Sequence, residues 1–141
     1  MADNEINWTE GPWGHLSQYI GTYNYGAVLG DPAVAQALSE RLGSNLPRLS
    51  GQLQTVAPIG FTDDCLVLTG SADHKGFLNA AYVNVCIYRG SVDVVLTDGP
   101  EVLVFSAYTQ YRHLSRALRS WIGLYQATDH LNTLPDGVSL Q

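Results

Sequence analysis

Between Cys65 and Tyr108 the chain passes through four segments dense in β-branched and aromatic residues, CLVLTGS, AAYVNVCIY, SVDVVLTD and EVLVFSAY, with little chain between them. This spacing constrains the fold more than any other feature. Parallel neighbours need a crossover of a dozen or more residues, whereas Arg89-Gly90 and Asp98-Gly99-Pro100 leave room only for hairpin turns. The block therefore reads as an antiparallel meander. An earlier run, TVAPIGF, is a further strand that Pro58 breaks or kinks; having no N–H, a proline belongs at an edge or a bulge.

Helical signals flank the strands. In GDPAVAQALSERLG, Asp31 suits the N-cap, Pro32 the first helical position and Gly43 the stop. Val34, Ala37, Leu38 and Leu42 fall on one stripe, which predicts a helix of about eleven residues. SNLPRLSGQL offers a second, shorter helix with Gly51 inside it. SQYIGTYNYGAVL is open between a short strand and a helical turn. HLSRALRSWIGLY is helical, with Leu114, Ala117, Leu118, Trp121 and Ile122 on one face. Arg112, Arg116 and Arg119 share the other side, as a solvated face or an anion or partner site. Tyr19, Tyr23 and Tyr25 suit either a recognition surface or packing at the core and edge.

The expected class is α+β, with a meander sheet of about five strands and helices before and after it packed on one face. Residues 1–14 read as an irregular segment, 15–125 as one domain, and 126–141 as a polar tail that frays. LVL and VVL hardly alternate. Either both sheet faces are partly covered, or the open face meets another molecule, a homodimer among the choices.

A chain of 141 residues supports one core, and a net charge of -6 argues against nucleic acid, which demands a basic footprint. No run is apolar enough for a membrane helix, and MADNEINWTEGPWGH has acids where a secretory signal has bases. A cytoplasmic location is expected, or a periplasmic one if a leader has been removed. Pairing Gly70 with Ala81 across the first hairpin sets Cys65 opposite Cys86. A disulfide could form there in an oxidising compartment; in a reducing cytosol, the expected case, both are buried thiols.

Enzyme templates find little. GTYNYG lacks the lysine and preceding strand of a phosphate loop, no serine stands in a G-x-S-x-G elbow, and His15, His74, His113 and His130 have no partner at helical metal spacing. Asp63-Asp64 reads as a turn, with Asp73 at the far end of the next strand. No catalytic residue, metal or cofactor is expected. A second reading is a small-ligand protein or enzyme, with a pocket between sheet and helices lined by Tyr19, Tyr23, Trp121 and Tyr125.

One polar loop remains. LTGSADHKGFLNAAYVNVCIY holds His74 between two strands, where an imidazole at a sheet end can hydrogen-bond carboxylates in a foreign cleft. GSADHKGFLNAAYVNV resembles the inhibitor of vertebrate lysozyme (Ivy-like) family in its Gly70-Ser71 entry, His74, Asn79 and the apolar strand from Ala81, with helices before and after the strands. The resemblance covers roughly residues 30 to 125. It implies an α+β fold and a loop that plugs a lysozyme cleft, its histidine meeting the catalytic carboxylates. The family closes that loop with a disulfide in Cys-Lys-Pro-His-Asp-Cys. Here small residues stand near those positions, at Ala72 and Gly76, and Ala72-Asp73 replaces Lys-Pro. The resemblance thus implies a non-enzymatic inhibitor or immunity-type protein that blocks a hydrolase or toxin through residues 71–79. His74 would make the polar contact, and Asp73 and Lys75 would set charge complementarity.

Overall fold

The structure, a computed structural model, describes residues 12–62, 64–72, 79–99, 101–108, 113–115, 118–122 and 138–141. A 3-10 turn at Gly14–Tyr19 leads into three helices: α1 (Tyr25–Leu29), α2 (Pro32–Leu42) and α3 (Leu46–Gly51). SQYIGTYNYGAVL is therefore helical at both ends, with residues 20–24 as a turn and loop between them, and no part of it is a strand. α2 begins and ends where its caps require. Asp31 Oδ1 accepts from the N–H groups of Ala33 at 3.1 Å and Val34 at 3.4 Å, and Gly43 takes φ 55°, which a side chain would oppose. Val34, Leu38 and Leu42 are all buried.

Seven strands follow: β1 (Thr55–Val56), β2 (Gly60–Thr62), β3 (Cys65–Ser71), β4 (Ala80–Cys86), β5 (Ser91–Asp98), β6 (Glu101–Phe105) and β7 (Val138–Leu140). They make one sheet in the order β1-β3-β4-β5-β6-β7, with β2 also on β3. β3 to β6 are the expected meander, its turns carrying Gly90 at φ 72° and Gly99 at φ 59°. β1 and β2 pair with opposite ends of β3, so TVAPIGF is an edge strand interrupted around Pro58. The Tyr25 hydroxyl lies in that interruption, 2.6 Å from Ala57 O and 2.9 Å from Thr69 O, and accepts from Thr69 N–H at 3.0 Å. Burial holds the phenol above its ordinary pKa.

The sheet differs from expectation in three respects. Among the described residues it has seven strands, not about five, because the edge strand is split and β7 joins. β7 pairs parallel with β6, so the last residues of the tail expected to fray are held by the sheet, where Gln141 N–H also donates to Val104 O at 2.7 Å. The helices also do not share one face. On one side Leu66, Leu68, Val83, Val85, Val94 and Leu96 pack with Val34, Leu38 and Leu42; on the other, Tyr82, Val95, Val102 and Val104 pack with Leu114, Leu118 and Ile122. Successive residues of a strand point to opposite faces, so runs such as Val94-Val95-Leu96 fill two cores. Each fully buried valine or leucine contributes about 1.5–3 kcal/mol relative to exposure. Every residue from Ala80 to Cys86 and from Val92 to Thr97 is buried. The apolar outer face that suggested a homodimer is thus covered within the chain.

Candidate functional site

The hairpin β3–β4 is the most extensively paired unit of the sheet. Its register runs from Cys65↔Cys86 to Ser71↔Ala80 through Gly70↔Ala81, the pairing expected from the sequence. Beyond Ser71 and Ala80, Ala72 N–H donates to Asn79 O at 2.8 Å and closes the base of the loop. Asp73, His74 and Lys75, the expected partner-contacting residues, lie outside the described residues. The structure does define what carries them: two strand ends at a fixed register, joined at the base by one backbone hydrogen bond.

Both stems are tied to neighbours. Ser71 O accepts from Gln54 N–H at 3.1 Å and Ser71 pairs with Thr55. On the second stem, Gln52 Nε2 donates to Ala80 O at 2.5 Å and to Thr97 O at 3.1 Å, while Thr97 Oγ1 accepts from Ala80 N–H at 2.7 Å. Gln52 and Thr97 are both buried. No sequence signal marked them, since Gln52 reads as the polar end of a short helix and Thr97 as an ordinary strand residue.

At the opposite end of the hairpin, Cys65 and Cys86 form a disulfide with Cα atoms 3.9 Å apart. The expectation of two reduced core thiols is corrected: the register opposes them on the same face, both fully buried. Among the described residues no cysteine is free. Arg89 lies over this bond, its Nη2 3.3 Å from Cys86 Sγ and 3.8 Å from Cys65 Sγ, and its Nη1 donates to the Tyr108 hydroxyl at 3.3 Å. The disulfide stands at the base of the hairpin, whereas the family's signature places one within the loop.

Polar groups lie along the same face of β4 and β5. Asn84, paired with Asp93, donates through Nδ2 to Ser115 Oγ at 3.1 Å, while its buried Oδ1 has no partner among the described residues. Burial raises the Asp93 carboxyl above its ordinary pKa; a hydrogen bond with Ser106 and the charges of Arg41 and Arg89 oppose the shift. Near the N-terminal end of α2, His15 Nε2 stands 2.6 Å from Asp31 Oδ2, and this hydrogen bond holds Asp31 below its usual range.

The alternative pocket does not assemble. Tyr19 packs against one core and Trp121 against the other, so the sheet lies between them, and Tyr23 is 64% exposed. Tyr125, Arg112 and Arg116 lie outside the described residues. Arg119 Nε donates to Leu114 O at 3.2 Å. A groove of about 430 Å³ does lie beside the loop stems, lined by Thr55, Val56, Ala57, Thr69, Gly70, Ser71, Ala80 and Trp121. None of these described lining residues has a titratable side chain. Among the described residues no group of His, Cys, Asp and Glu could hold a metal ion, and no helix is long and apolar enough to cross a membrane.

The described residues define an α+β protein built on one mostly antiparallel sheet covered on both faces, with the β3–β4 hairpin within it. Its family follows from the sequence along that frame: residues 33–127, well over half the chain, match the model of the inhibitor of vertebrate lysozyme (Ivy) family, and the chain belongs to that family. No curated protein and no solved structure matches it.

Proposed function

We propose that this chain is a non-enzymatic inhibitor of a lysozyme-type hydrolase, acting by insertion of the 72–79 loop with His74 as its central polar contact. The observation that carries the reading is the family match, which includes the whole hairpin and its loop. The stems support it: a loop whose two ends are held at fixed register loses less freedom on insertion than a free segment of the same length. Asp73 and Lys75 flank the histidine and would select among targets by charge, Lys75 attracting a carboxylate-lined cleft and Asp73 tempering that attraction.

The Cys65–Cys86 bond supports maturation in an oxidising compartment over the cytoplasmic location expected from the N-terminal composition, because disulfides rarely persist in a reducing cytosol. The test is inhibition of a panel of lysozyme-type hydrolases by the wild-type chain and by His74→Ala. The variant is expected to lose at least about tenfold in inhibitory strength, with its thermal midpoint unchanged. Inhibition by His74→Ala at full wild-type strength refutes the loop as the insertion element.

A further inference from the structure

The β4–β5 ladder runs from Cys86↔Ser91 to Ala81↔Leu96 and ends there, although Ala80 still belongs to β4 and Thr97 to β5. At that step side chains also bond the two backbones, the Thr97 hydroxyl lying 3.4 Å from Ala80 O as well. The Ala80 N–H is taken by Thr97 Oγ1 at 2.7 Å, and Gln52 Nε2 bridges Ala80 O and Thr97 O at 2.5 and 3.1 Å. Two carbonyl acceptors settle the orientation of the amide, since only its NH2 can donate. The three residues are 5%, 3% and 0% exposed, for Gln52, Ala80 and Thr97 in that order.

Burying a glutamine and a threonine is unfavourable unless their hydrogen bonds are made. The arrangement places the side chain of Gln52, the residue that follows α3, against the backbones of β4 and β5 at the first strand residue after the loop. It sets the direction in which the chain returns from the loop to the sheet, and it couples that direction to α3.

We infer that Gln52 and Thr97 are positioning residues for the 72–79 loop: a buried side-chain clamp on Ala80 holds the returning stem in the orientation needed for insertion. This rests on the reading of that loop as the insertion element. Neither residue touches the partner; both act through Ala80.

The test uses the full chain with Thr97→Val, which keeps the shape and removes the acceptor, Thr97→Ser, which keeps the hydroxyl, and Gln52→Met as a second variant should Thr97→Val fail to fold. Amide exchange at Ala80 is followed by NMR, and hydrolase inhibition is measured beside His74→Ala. Thr97→Val is expected to speed Ala80 exchange about tenfold relative to Val83 and Val94 and to weaken inhibition about tenfold, with Thr97→Ser restoring both. Unchanged Ala80 exchange, or wild-type inhibition by Thr97→Val while His74→Ala is impaired, overturns the clamp alone. Full inhibition by His74→Ala, or none by the wild type, overturns the loop reading and the clamp's role with it.

Discussion

Reducing the Cys65–Cys86 bond is the sharpest perturbation of the hairpin, because it removes a covalent link and leaves every side chain in place. The bond joins residues 21 apart in sequence. In the chain-entropy account, a link closing a loop of this size restricts the unfolded chain by about 3 kcal/mol at room temperature. For a chain of this length, that corresponds to a fall in thermal midpoint of about 10 °C. Both sulfurs lie in the buried strand ends, Cys65 and Cys86 being 0% exposed, so the reduced thiols can stay packed and the native sheet keeps its register. The assay is urea and thermal unfolding with and without a phosphine reductant, with titration of two free thiols as proof of reduction. A shift below about 1 kcal/mol in a fully reduced sample would refute the entropic reasoning.

Asp93→Asn probes the buried carboxyl. Burial raises its folded pKa above the unfolded value, so its contribution is fully present below the ordinary carboxylate range and is lost as pH rises through the folded pKa. The variant should therefore show a higher urea midpoint than wild type at pH 7 and no advantage near pH 3; an equal effect at both would contradict the sign. Gly70→Ala would put a Cβ 2.7 Å from Thr55 O and 2.9 Å from Val56 Cγ1, between β1 and its partner. A destabilisation of about 1–3 kcal/mol is expected, with faster amide exchange at Gln54 and Ala57 than at Val83; uniform exchange would count against a local cause.

Much of the sheet was readable because its determinants are local. Hairpin turns need positive φ and short reach, so Gly90 and Gly99 announced the meander. The Cys65↔Cys86 register followed from pairing Gly70 with Ala81. Asp31, Pro32 and Gly43 bounded α2 by capping chemistry that acts within a few residues. The disulfide was harder: composition spoke for a reducing cytosol, whereas bond formation depends on which side chains the register brings together. The family was readable from the residues around the loop, but the loop's second stem was not, since nothing near Gln52 or Thr97 in sequence shows that Ala80 lies between them.

By itself the sequence determined the strand succession, the hairpin connections, the capped helix and the place of the His74 loop, because each rests on neighbours along the chain or on motif residues present in it. Only the tertiary structure decided that the two helical layers take opposite faces, that 138–140 returns to lie parallel with β6, and that a glutamine and a threonine hold the loop's second stem. Those outcomes depend on contacts between residues remote in sequence. An apolar strand residue fits a core on either face, and a buried amide is stable wherever its acceptors converge, so only the assembled fold selects among the possibilities.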